Sequence, residues 1–577
     1  MAILQPIINI AEICARHHLK QVVLSPGSRC APLTIAFVRH PQIQTRSISD
    51  ERSAAFIALG MAQRMGETVG LVCTSGTAVL NYAPAVAEAF FQQIPLLIFT
   101  ADRPAEWIAQ QDGQTIYQRS VYGRHVKESY ELPSDYTHPD TVWHTERVIN
   151  EALQLTQITP KGPVHVNVPI REPFYPTSDE TVVFDHQVRF IERLSEERML
   201  SEAQWAELIQ VWENSDKKLI VGGQHPYDLA LVNALKPFPA QFATPIVGDL
   251  ISNLHTLPDI IRHQDVFLSP LDPAEPAALQ PDLLITYGQS ILSKNLKLFL
   301  RKYRPYQHWH IQAAGPVADP FQTLTRIIPL EPLHFFRQLS CHPDFQRFLQ
   351  AEEKALNTNY YWRWQDQDRK AEQFLGQFFD QQPFNEFSAV NRVLQALPEN
   401  SLLHLANSMP VRYANLLSLL SGRNIEVYAN RGTSGIDGST STAVGSALTT
   451  DLPVVLITGD VAFFYDRNGL WNNHLPTNLR IVLLNNHGGN IFRLLDGPSR
   501  QPELDDYFET RQPLNAGNTA SDAGMAYFTC ENEKALEEML PQFIHVKDRG
   551  AILEITTDGK VNASVFAAYK AAWPGVS

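Results

Sequence analysis

The chain has 577 residues, carries 47 basic against 61 acidic side chains for a net charge of −14, and is 44% hydrophobic but only 19% charged. That balance excludes an intrinsically disordered chain and disfavours a nucleic-acid partner, whose electrostatic footprint is basic. Cys14, Cys30, Cys73, Cys341 and Cys530 include no CxxC pair, so no disulfide framework is expected and a reducing, cytoplasmic compartment is.

The N-terminal stretch has Ile7, Ile8, Ile10, Ala11 and Cys14 at helical spacing and lacks the basic start and cleavage site of a signal peptide. No apolar run is long enough to predict a membrane span. Four apolar runs, 21–25, 69–75, 95–101 and 163–169, read as buried strands. Helical patterns lie between them at 51–65 and 78–93. Such alternation predicts a parallel sheet covered on both faces. Residues 176–200 turn polar, as a linker would. A second block has strand-like runs at 217–223, 281–288 and 308–312, followed by a charged, aromatic-rich helical connection over 345–385. A third block has runs at 401–407, 453–459, 480–486 and 551–557. The fold class expected is α/β: three doubly wound parallel-sheet domains, at 1–185, 195–350 and 380–577. No residue-level repeat is visible.

Ligands of such sheets sit beyond the carboxyl ends of the strands. Polar sequences stand at five of these ends: SPGSR (25–29), TSGT (74–77), TADRP (100–104), ANS (406–408) and GD (459–460). Asp460 ends one strand, and Asn486 ends the next within NNHGG. A carboxylate, an amide oxygen and a backbone carbonyl suit a hard cation such as Mg²⁺ and leave positions for phosphate oxygens. Strand-end Asp and Asn also serve as ordinary turn and cap residues; the combination and spacing favour the metal.

This arrangement resembles the metal signature of thiamine diphosphate enzymes. The resemblance implies Asp460, Asn486 and the carbonyl of Gly488 as metal ligands for Mg²⁺, with Mn²⁺ as the alternative. Val461 stands where the family's Gly-Asp-Gly has its last glycine. Glu51, in DERSAAFIALGMA, occupies the place of the family's glutamate, which shares a proton with the aminopyrimidine ring. The longer strings SPGSRCAPLT, TSGTAVLNYAPAVAEA, NSMPVR, NRGTSGIDGSTSTAVG and NNHGGNIF resemble one subfamily, the 2-succinyl-5-enolpyruvyl-6-hydroxy-3-cyclohexene-1-carboxylate synthases of the menaquinone and phylloquinone pathway. These decarboxylate 2-oxoglutarate and add the succinyl unit to isochorismate.

By that resemblance the first unit is the aminopyrimidine-binding domain and the third the diphosphate-binding domain. Arg29, Arg103 and Gln114 are implied as contacts mainly to isochorismate, and Ser28 as a substrate contact. Ser408, Arg412 and Arg431 are implied for the 2-oxoglutarate-derived part, with Lys294 as a further basic contact. Arginine forks suit such carboxylates. Asn295 stands where some members have arginine. Thr77, Ile436, Gly459, Asp460, Val461, Asn486, Phe492 and Leu495 are implied around the cofactor, Ile436 propping its bent form. The family trait of sites shared between subunits implies a homodimer or homotetramer. The rival readings are another thiamine diphosphate decarboxylase or a flavin-containing acetolactate-type enzyme, a non-catalytic nucleotide-binding or regulatory protein, and a zinc hydrolase using His308 and His310. Nothing in the sequence demands a flavin, the nucleotide-binding reading has neither GxGxxG nor GxxxxGK[ST], and the hydrolase reading has no HExxH.

Overall fold

The computed structural model describes residues 4–177, 180–268, 274–351 and 358–573. Within the expected linker, 178–179 lie outside the described residues, as do 352–357 of the expected helical connection.

Three parallel sheets organise the chain. The first contains β1 (Gln21–Leu24), β2 (Gln44–Ser47), β3 (Val69–Cys73), β4 (Leu96–Asp102), β5 (Ser129–Glu131) and β6 (Val164–Pro169), in the order β2-β1-β3-β4-β6-β5. The second contains β7 (Lys218–Gly222), β8 (Ile246–Gly248), β9 (Leu283–Tyr287), β10 (Gln307–Ile311) and β11 (Arg326–Ile328), in the order β11-β10-β9-β7-β8. The third contains β12 (Ser401–Leu405), β13 (Ile425–Ala429), β14 (Val454–Gly459), β15 (Leu479–Asn485), β16 (Ala526–Cys530) and β17 (Ala551–Thr556), in the order β13-β12-β14-β15-β17-β16. Numbered within their own units, the first and third sheets have one topology, 2-1-3-4-6-5. The repeat that is invisible at the residue level is thus present in the fold.

Central strands such as β3, β4 and β15 are buried along their whole length, because helices cover both faces. The expected helix 51–65 forms as Glu51–Met65. The expected helix 78–93 is instead two, Thr77–Asn81 and Ala83–Gln92. Pro84 has no N–H to donate back to residue 80, so the ladder breaks there. The connecting segment contains the helix Thr358–Phe378, which buries Tyr361, Trp364, Ala371, Leu375 and Phe378 at helical spacing. Its aromatic side joins the core of the second unit to that of the third. The first and third units share another continuous core.

At that second junction the helix Glu51–Met65 crosses the helix Ser439–Ala447, each following the second strand of its unit. A Cβ on Gly60 would lie 2.0 Å from the carbonyl oxygen of Thr442, and a Cβ on Gly445 would lie 2.0 Å from that of Ile57. The contact is reciprocal, with glycine and carbonyl three residues apart on both helices, as an internal two-fold axis requires. Gly60→Ala should therefore destabilise the chain by about 3 kcal/mol, the upper end for overpacking. Urea unfolding measures this; a variant as stable as the parent would show that the helices can part without penalty.

Candidate active site

The sequence-selected residues assemble into two groups, both at the carboxyl ends of strands. The first belongs to the amino-terminal unit. Arg29 follows β1, is 8% exposed, and donates to the carbonyls of Ile170 (2.9 Å) and Arg171 (2.8 Å). Burial and the neighbouring Arg103 push its guanidinium pKa down. The two arginines therefore form one electropositive spot, in which Arg103 also pairs with Asp112 at 2.8 Å. Behind them the buried Asp102 carboxyl is pushed up to about 6 by desolvation, and it holds Arg103 through the backbone N–H at 2.8 Å.

Ser28, Thr77 and Gln114 are exposed around this spot. Gly76, at φ 90°, brings Gln114 beside Thr77: a Cβ on Gly76 would sit 3.4 Å from the Cα of Gln114. Gln118 secures this turn, accepting from the Gly76 N–H (2.9 Å) and donating to the Ala101 carbonyl (3.1 Å). Glu51 is half-buried at the first turn of its helix. Its neighbours are fixed: Asp50 caps the helix and accepts from Asn468 at 2.7 Å, and Arg52 donates to the Tyr465 carbonyl at 2.6 Å.

The second group lies on the third sheet. β14 and β15 are paired neighbours, with Gly459 opposite Leu484, so Asp460 and Asn486 leave the sheet side by side. Asp460 is 2% exposed, and burial pushes its carboxyl up to about 6. One of its oxygens accepts from the Val461 N–H (2.8 Å) and the other from Gln512 (3.0 Å). Asn486 donates its amide nitrogen to Glu386 at 2.6 Å, and among the described residues no hydrogen bond engages its Oδ1. Glu386 is fully enclosed; desolvation first, then Asp460, push it up to about 7, against the bond from Asn486. The Gly488 carbonyl accepts from the Asn490 N–H at 3.0 Å. A Cβ on Gly459 would meet open space, so the strand end faces room. Phe492 is half-buried against Phe508, whereas Leu495 is 46% exposed. Among the described residues no three His, Cys, Asp or Glu side chains converge, so a cation here would need amide and carbonyl oxygens beside Asp460. His308 and His310 bond Thr286, Thr323 or both, at 2.8–2.9 Å.

Around β12 and β13 stand the remaining cations. Ser408 has φ 74°, an unfavourable conformation for a residue with a Cβ, and its carbonyl accepts from Arg412 at 2.5 Å. Such local strain concentrates at functional sites. Arg431 donates to Asn407 Oδ1 at 2.9 Å, and Asn407 in turn donates to the carbonyls of Asn430 and Gly435, both at 2.7 Å. Asn407 thus shapes the loop that carries half-buried Ile436. Burial lowers the pKa of both Arg412 and Arg431, and the two repel each other.

The central unit adds Lys297, half-buried and close enough for Arg431 to depress its pKa, after desolvation. Lys294, one turn earlier, is exposed. Asn295 is engaged with Asp265, donating its side-chain amide to the carbonyl (2.7 Å) and its N–H to the carboxylate (2.9 Å). Residue-by-residue reading missed Glu386, Asn407, Gln118 and Lys297. Asn407 lies within the strand-end ANS (406–408) and the string NSMPVR without a role given to it, and the capping pattern NEFS marked Glu386. Among the described residues no hydrogen bond or ion pair joins Glu51, Arg29 or Arg103 to Asp460, Asn486, Arg412 or Arg431.

The chain is similar to known proteins over nearly its whole length. Residues 9–121 match the thiamine pyrophosphate enzyme N-terminal TPP binding domain, and 184–405 match the middle domain of thiamine pyrophosphate enzymes; thiamine pyrophosphate is thiamine diphosphate. Curated relatives named 2-succinyl-5-enolpyruvyl-6-hydroxy-3-cyclohexene-1-carboxylate synthase include one from Cytophaga hutchinsonii, 45% identical over 98% of both chains. Another, from Flavobacterium johnsoniae, is 39% identical over 95% of both. A third, from Desulfotalea psychrophila, is 38% identical over 96% of this chain and 98% of its own. The chain belongs to the 2-succinyl-5-enolpyruvyl-6-hydroxy-3-cyclohexene-1-carboxylate synthase family of thiamine pyrophosphate-dependent transferases.

Proposed function

We propose that the chain decarboxylates 2-oxoglutarate and transfers the succinyl unit to isochorismate, with thiamine diphosphate and Mg²⁺, in menaquinone or phylloquinone synthesis. The observation that carries the reading is the oxygen set at the ends of β14 and β15. Asn486 is turned by Glu386 so that its carbonyl end is free beside Asp460. Hard divalent cations favour such oxygens and keep positions for diphosphate. The open space at Gly459 leaves the strand end clear for phosphate oxygens, so the residues fit the group. Asp460, Asn486 and Gly488 would hold Mg²⁺, with Mn²⁺ as a substitute, and the residues 380–577 form the diphosphate-binding domain. Residues 1–185 form the aminopyrimidine-binding domain, and 195–350 the central one.

Thiamine diphosphate, when bound, supplies the electron sink for decarboxylation and carbon transfer. The chain's own residues do the rest. Glu51 exchanges a proton with the aminopyrimidine nitrogen. Arg412 and Arg431 bind the carboxylates of 2-oxoglutarate, while Ser408 and Lys294 complete that wall. Arg29, Arg103, Ser28 and Gln114 receive isochorismate, and the two guanidinium groups stabilise negative charge developing on its carboxylate. Ile436, Phe492, Leu495, Thr77 and Val461 shape the cofactor's surroundings.

By the family trait of sites shared between subunits, Glu51 would serve the Asp460 site of a second copy, each copy giving its first unit to the partner's third. The exposed apolar side chains Leu80, Tyr465, Trp471 and Leu495 accompany the two half-sites, as expected of a surface covered in a homo-oligomer. Five free cysteines suit the cytoplasm, and among the described residues no helix is long and apolar enough to cross a membrane.

The test mixes the protein with Mg²⁺, thiamine diphosphate and 2-oxoglutarate, with and without isochorismate. Rapid carbon dioxide release is expected only when isochorismate is present. Equal release without it, or a bound flavin detected by its absorbance, would direct the reading to another thiamine enzyme.

A further inference from the structure

All three units converge on the five residues 429–433. From the central unit, Gln224 donates to the Ala429 carbonyl at 3.0 Å. From the first unit, Glu88 reaches the segment on its other side. Its carboxylate accepts from the N–H of Gly432 (2.7 Å) and of Thr433 (2.6 Å), and from the Thr433 hydroxyl (2.6 Å). Gln92 donates to the same carboxylate. Gly432 has to be glycine for this approach, because a Cβ would lie 2.7 Å from the Glu88 carbonyl oxygen.

Glu88 is 1% exposed, and among the described residues it forms no ion pair within 4.0 Å. A buried carboxylate without an ion-pair partner is a costly way to join two domains; apolar side chains of like volume do so as well or better. What it provides instead is directional: three bonds to the two residues that follow Arg431. Arg431 is itself bonded to Asn407 through Nη1, and among the described residues no hydrogen bond or ion pair engages its Nη2 or its buried Nε; Nη2 is the donor left for a ligand. This guanidinium lines a cavity of about 920 Å³ where the three units meet.

We propose that Glu88 is a positioning residue for Arg431, holding the 431–433 backbone so that the guanidinium presents its unused donor to a substrate carboxylate. This rests on the assignment of Arg431 to 2-oxoglutarate. It gives each amino-terminal unit two duties: Glu51 serves the partner's site while Glu88 orders the site on its own chain.

Glu88→Gln places an NH₂ where one N–H donor now points and should raise the KM for 2-oxoglutarate about 10- to 100-fold, as expected for lost charge-assisted bonds. kcat and thiamine diphosphate affinity should stay within about threefold, because the chemistry and the diphosphate end are untouched. Thr433→Val removes only the hydroxyl bond and should give a smaller rise, about tenfold or less, should Glu88→Gln fail to fold. In an Arg431→Ala background neither change should raise KM further, as a double-mutant cycle requires of residues acting through one group. A KM rise that persists in that background would overturn the proposal in favour of a general folding defect. Unchanged KM in both variants, with Arg431→Ala raising it, would overturn the role of Glu88 alone. Unchanged KM in Arg431→Ala would overturn the substrate assignment and the proposal with it.

Discussion

Glu51→Gln should slow both decarboxylation and condensation by a factor of about 10² to 10⁴, the range for losing a general acid–base group, with no change in melting temperature. The substitution is nearly isosteric at a half-buried position. Its surroundings remain anchored, because Asp50 still caps the helix and contacts Asn468, and Arg52 still holds the Tyr465 carbonyl and lies 4.6 Å over that ring. The amide keeps hydrogen-bonding capacity but cannot exchange a proton with the aminopyrimidine nitrogen. Carbon dioxide release in the presence of isochorismate, measured alongside a thermal melt, separates the two effects. Near-normal turnover would remove Glu51 from the proton relay.

Asp460→Asn should weaken metal-dependent binding of thiamine diphosphate by more than about 100-fold, exceeding the 10- to 100-fold typical of groups that only support a ligand. The parent carboxylate is the only acidic side chain among the three proposed ligands, and the metal's charge must be met mainly there. Glu386→Ala should fall within the supporting range: it frees the Asn486 amide to rotate and present nitrogen instead of oxygen. Mn²⁺ binding followed by electron paramagnetic resonance reads both variants without turnover. Equal affinity in Asp460→Asn and the parent would place the metal elsewhere.

The interior of each sheet was legible because its strands are continuous apolar runs. Eleven strands are marked by such runs, and the six without one, β2, β5, β8, β11, β13 and β16, are the two edges of each sheet. Edges are short or carry polar residues, as QTRS in β2 and SYE in β5 show, since one side has no strand to pair with. The candidate site divides similarly. Asp460, Asn486 and Arg29 stand at ends of strong strands and form local motifs. Glu386 and Glu88 act on residues 100 and 344 positions away. Nothing adjacent to either in sequence announces its partner. Lys297 differs from Lys294 only by one helical turn, and its greater burial follows from how the central unit docks.

At Gly60 and Gly445 the atoms that exclude a side chain are main-chain carbonyl oxygens, not movable groups. No substitution at Thr442 or Ile57 removes a carbonyl, so neither glycine has a local suppressor. A genetic selection for recovered growth from Gly60→Ala should return restored glycine or distant changes that stabilise the whole chain, and none among the opposing side chains. The two codons lie 385 residues apart, yet they evolve under a single restriction imposed by one crossing of two helices.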